Sequence, residues 1–100
     1  MAAAVAASGA ARAQSPSLTK ADEAVLEMKE AFRKGDRKRL AALLPQARGH
    51  VLEPWAAYWE LRARLVDAPN DEVRAFLRKY AGSYQEDRLR NDWLLLLGQV

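Results

Sequence analysis

The first candidates for catalysis or metal binding are the one histidine, His50, and, among thirteen acidic residues, the possible carboxylate pairs offered by Glu53, Glu60, Glu86, Asp87 and Asp92. The sequence has no cysteine, so thiolate ligands and disulfides are excluded. A zinc-type centre takes about four ligands, usually drawn from several His and Cys. His50 would have only carboxylates for company, and it reads as a loop histidine. Asp87 and Asp92 are five positions apart and do not share a helical face. Glu86 lies four before Arg90, and Asp92 adjoins Trp93, which reads as surface pairing and capping. No catalytic, cofactor-binding or metal-binding residue is assigned on this reading.

Two further groupings have chemical potential. Arg33, Lys34, Arg37, Lys38 and Arg39 put five basic residues into a seven-residue stretch, which could meet phosphates or an anionic glycan. No glycine-rich loop or stacking aromatics accompany them, so nucleic acid is not expected as a partner. The net charge of +3 falls to +2 without the first fourteen residues, too mild for a nucleic-acid argument. Trp55, Tyr58 and Trp59 could stack on sugar rings, but their i, i+3, i+4 spacing reads first as the core face of a helix.

The elements that would position these groups are all helical. No segment alternates with period two, so no strand is expected. Thr19 with Asp22 forms a capping box for a first helix that ends near Lys34, with Ala21, Ala24, Val25, Met28, Ala31 and Phe32 inward. Glu30 and Lys34 make an i,i+4 pair on it. Gly35 stops this helix and Asp36 caps a second, Arg37 to Leu44, which Pro45 ends. After a loop from Gln46 to His50, Glu53 and Pro54 open a third helix. Its broad inner side carries Trp55, Tyr58, Trp59, Arg62, Leu65 and Val66, extended by Ala57 and Leu61, and Ala68-Pro69 breaks it. Asn70 caps a fourth helix with Val73, Phe76, Leu77 and Tyr80 inward, and Ala81-Gly82-Ser83 turns the chain into a fifth.

That last helix, from Tyr84 onward, begins charged and finishes apolar almost all round. Leu89, Trp93 and Leu96 face back onto the third and fourth helices, with Trp93 as the expected anchor, while Leu94, Leu95 and Leu97 are left over. A helix apolar on more than one side is covered on more than one side. The chain is therefore expected to be the front piece of a longer protein. The predicted fold is all-α: antiparallel helical hairpins stacked as the start of an α-solenoid of about five helices, repeating every 30 to 35 residues or so. Tetratricopeptide signature residues are absent.

Residues 1–14 are mostly alanine, and Ala11-Arg12-Ala13 has the form of a signal-peptidase site. They read as the remnant of a secretory signal peptide, or else as a disordered leader. Residues 15–19 form a linker, and 20–100 an incomplete α-superhelical domain. No apolar run reaches the roughly 18 residues of a membrane span.

The stretches Leu52 to Arg62, Val73 to Tyr80, and Asp87-Arg88-Leu89-Arg90 followed by Trp93-Leu94 together resemble the soluble lytic murein transglycosylases. The last is the most specific. The likeness is to the start of that family's N-terminal U-shaped helical superhelix and covers about residues 20–99. It implies a periplasmic parent enzyme, a lyase of the cell wall. Such an enzyme cleaves peptidoglycan glycan strands between N-acetylmuramic acid and N-acetylglucosamine and leaves 1,6-anhydro ends. The implied partners are those strands, through the parent, and the remaining helices of the same superhelix. The family's catalytic glutamate stands in a Glu-Ser motif. No glutamate here precedes a serine, so no catalytic residue carries over. The expected function is that of a non-catalytic scaffold segment without cofactor. The rival is a stand-alone α-solenoid interaction module, against which the uncovered last helix argues. An intact small enzyme would need a constellation the sequence lacks.

Overall fold

A computed structural model describes residues 17–98. The leader, the first two residues of the expected linker and the last two residues of the chain lie outside them. The described residues are all-α, with five α-helices, one short 3-10 helix and no strand.

Helix α1 spans Lys20–Lys34. Its start is fixed reciprocally: Thr19 Oγ1 accepts from the Asp22 N–H at 3.0 Å, and Asp22 Oδ2 accepts from the Thr19 N–H at 2.9 Å. Ala24, Val25, Met28 and Ala31 are buried along one face. Gly35 ends the helix at φ 71°, a left-handed conformation that costs glycine nothing. Asp36 then accepts from the Arg39 N–H at 3.1 Å and starts α2, Arg37–Leu43.

The α-helix ends at Leu43, just before Pro45 as expected, but the helical path does not. A 3-10 helix, Leu44–Ala47, continues it and buries Ala47 completely against the first core. Proline in the first turn of a new helical segment has no N–H to leave unpaired, so it restarts the chain there.

Helix α3 is Glu53–Ala63, with Pro54 in its first turn. It stops five residues before the Ala68-Pro69 break. From Arg64 the backbone bonds tighten to i−3, as in Arg64 to Leu61 at 3.2 Å and Asp67 to Arg64 at 2.9 Å. The tighter winding advances each residue further round the axis. Leu65 stays buried, but Val66, expected inward, is 65% exposed. Helix α4 is Asn70–Lys79, and its cap is Pro69 rather than Asn70. The Pro69 carbonyl accepts from Glu72 and Val73, so Asn70 is already the first helical residue and its side chain makes no cap bond.

Helix α5 is Tyr84–Leu97. Ser83 accepts from the Glu86 N–H at 3.0 Å, while Glu86 reaches back to the Gly82 N–H at 2.7 Å. This cap is a stronger start signal than the simple turn expected there.

Two apolar clusters result. One lies among α1, α2, the 3-10 helix and the start of α3, around Met28, Leu40 and Ala47. The other joins α3, α4 and α5 around Leu61, Val73, Phe76 and Leu89. Phe32 and Trp59 pack against both.

Candidate binding trough between α1 and α3

The three aromatics of α3 divide between core and surface. Tyr58 is buried, while Trp55 and Trp59 are half-buried. Their ring centroids are 6.0 Å apart and tilted by 32°, and Phe32 stacks on Trp59 at 6.4 Å. Together with Val25 and Leu52 they floor an open trough of about 640 Å³. Its α1 rim carries Lys29, Glu30 and Arg33. That volume is in the usual range of ligand clefts, roughly 300–1,000 Å³. A smaller hollow of about 230 Å³, lined by Leu18, Asp22, Val25, Leu26, His50 and Leu52, prolongs it toward the start of α1.

His50 is not a free loop residue. Its Nδ1 accepts from the Leu52 N–H at 2.9 Å, so the neutral ring carries its proton on Nε2, 2.6 Å from Asp22 Oδ1. The clasp ties the loop before α3 to the first turn of α1. The Thr19 backbone N–H, followed by His50, holds the Asp22 carboxyl below the usual aspartate range. Asp22 is thus a cap and a clasp at once.

The other candidate acids, Asp87 excepted, make structural contacts as well. Asp92, expected as a surface or capping group, accepts from the Tyr58 hydroxyl at 2.6 Å and lies 3.3 Å from Arg62 Nε. Burial, then this carboxylate, pushes the Tyr58 phenol up to about 12. Glu60 is buried and shares Arg64 with Glu72, through contacts that include Arg64 Nε to Glu60 Oε2 at 2.6 Å and Arg64 Nη1 to Glu72 Oε1 at 2.8 Å. The guanidinium lowers the Glu72 pKa, and the two carboxylates raise that of Arg64. The clamp locks the end of α3 to the start of α4. Glu86 pairs with Arg90 as the spacing suggests, Glu53 accepts from the Gly49 N–H at 3.0 Å, and Asp87 is exposed in the first turn of α5. Among the described residues, no three His, Cys, Asp or Glu side chains gather as a metal site would require.

The basic stretch is largely neutralised. Arg33 pairs with Glu30, Arg39 with Glu27, and Arg37 with Asp67 at 2.8 Å. Glu30 therefore takes Arg33, three residues on, in place of the expected Lys34, because the planar guanidinium can offer two donors to one carboxylate oxygen.

No described helix is long and apolar enough to cross a membrane. Comparison with protein-family models, with curated proteins and with solved structures finds no match.

Proposed function

We propose that this chain is a non-catalytic scaffold segment from the start of the superhelix of a periplasmic soluble lytic murein transglycosylase. The parent would cleave peptidoglycan and leave 1,6-anhydromuramic ends; this segment would help shape the helical wall around the glycan strand. Sequence resemblance supplies the family. The observation that carries the scaffold role is the end of α5: Leu94, Leu95 and Leu97 are all exposed, while Leu89 is fully buried. Apolar area on this scale is what a following helical pair covers in a stacked superhelix.

The test is Leu95→Ala measured twice. In this chain Leu95 is 62% exposed, and the change should stay within about 0.5 kcal/mol. In the longer polypeptide of the proposal it should cost about 2–5 kcal/mol, because the side chain would then be packed. Equal cost in both would sink the scaffold reading. The trough favours a second reading, a stand-alone helical module that binds a protein partner.

A further inference from the structure

We propose that the trough between α1 and α3 is a docking site for an amphipathic helical segment of a partner protein with carboxylates along its flank. The inference holds under either reading of function, since α1 and α3 form the trough in both.

Shape is the first ground. The main trough runs along α1 from Val25 to Arg33, which at about 1.5 Å per residue is roughly 12 Å. The adjoining hollow shares Val25, Leu26 and Leu52 with it and extends it back to Leu18. The combined length accommodates about three turns of helix, enough for anchors at i, i+3 or i+4, and i+7.

Exposed apolar side chains are the second ground. Leu18, Leu26 and Leu52 are all large, exposed and gathered at this one feature, beside the half-buried Trp55 and Trp59. Scattered single leucines need no explanation, but a contiguous patch around a cleft marks an interaction surface. An apolar groove of this kind suits the apolar face of an amphipathic helix, read as anchors at i, i+3 or i+4, and i+7.

Charge selects the partner. Each carboxylate along the trough has a partner: Glu30 holds Arg33, and Asp22 holds His50 as well as its own cap. Lys29 makes no ion pair within 4 Å among the described residues, so the rim presents one unmatched positive charge. A carboxylate on the flank of the incoming helix meets it, whereas a lysine there would be repelled. An uncharged glycan would leave Lys29 without a partner.

The probe is a synthetic helical peptide of about 15 residues with leucines at i, i+3 and i+7 and glutamates flanking them. Two control peptides replace the glutamates by lysine or the leucines by alanine. Binding is read from the indole N–H resonances of Trp55 and Trp59, with Trp93 as internal reference. The acidic peptide should move the first two and not the third, and should bind at least about tenfold tighter than either control. Lys29→Glu should reverse the preference between acidic and basic peptides. Leu26→Glu, at an exposed position that folding does not need, should abolish binding.

Equal binding of acidic and basic peptides, or no effect of either substitution, would overturn the proposal. So would Trp55 and Trp59 shifts produced only by a chitin oligosaccharide, which would make the trough a sugar platform. A synthetic peptide of residues 1–16 binding in place of the acidic one would also overturn it, assigning the trough to the chain's own leader.

Discussion

Tyr58 donates its hydroxyl hydrogen to Asp92 while the Arg88 guanidinium lies 5.9 Å from its ring centroid. The phenol's pKa is raised from 10.0 to about 12, so the folded chain keeps this proton after the unfolded chain has lost it. Stability falls with pH wherever the unfolded state binds fewer protons. The contribution of Tyr58 is therefore full below about pH 10 and disappears as pH climbs through 12. Urea midpoints at pH 9 and pH 12, roughly, should show a loss on the order of 1–2 kcal/mol that Tyr58→Phe does not share. The same substitution should cost only about 1 kcal/mol at neutral pH, because Arg62 still pairs with Asp92. An unchanged alkaline loss in the variant would show that Tyr58 is not its source. Polar contacts of this kind were the least legible part of the sequence. Tyr58 and Asp92 are 34 positions apart, and Asp22 and His50 are 28 apart. Spacing rules see only neighbours on one helix, which is why Glu86 with Arg90 was readable and these two were not.

Among the elements, α5 separates what local pattern reveals from what packing decides. Its end facing α3 and α4 was legible, since Leu89 and Leu96 turn inward and Leu94 and Leu95 outward. The expected weight on Trp93 was misplaced. Trp93 is only half-buried, with the Arg74 guanidinium 6.0 Å from its ring, while Leu89 is fully enclosed. A helical stripe shows which residues face a neighbour, but the neighbour's own side chains decide which one is sealed. Leu89→Ala should accordingly cost about 2–5 kcal/mol and leave a cavity. Trp93→Ala should cost less, about 1–2 kcal/mol, because its ring keeps part of its water already. Urea titrations of both variants, followed by far-UV circular dichroism, rank them directly. A larger loss for Trp93→Ala would restore tryptophan as the anchor. Caps behaved differently, being local by nature. Thr19, Asp36 and Gly35 fell where their types demanded, while Asn70 lost its role to the proline one residue earlier.

At the scale of the molecule, two cores share a narrow bridge. Helices α1 and α2 enclose one around Met28 and Leu40, and α3 to α5 enclose the other around Leu61 and Leu89. Phe32 and Trp59 touch both, and the Phe32 ring lies 6.2 Å from Tyr58 and 6.4 Å from Trp59. The all-helical character was plain from the sequence, because the apolar period never left that of a helix. The bridge was not, since nothing in the 3.6 period marks a residue as belonging to two clusters. Cooperativity between the cores depends on the few side chains they share, so Phe32→Ala should do more than weaken the fold. It should cost about 2–3 kcal/mol, somewhat below a fully buried phenylalanine. It should also uncouple the halves, so that amides in α1 and in α5 exchange with different free energies of opening. Met28→Ala, which removes a side chain from the first core alone, serves as the comparison and should leave the opening free energies matched. Native-state hydrogen exchange on both variants, read helix by helix, makes the distinction. If Phe32→Ala lowers protection in α1 and α5 by the same amount, the two clusters act as one core, and their continuity runs through backbone packing of α1 on α3 rather than through the shared ring.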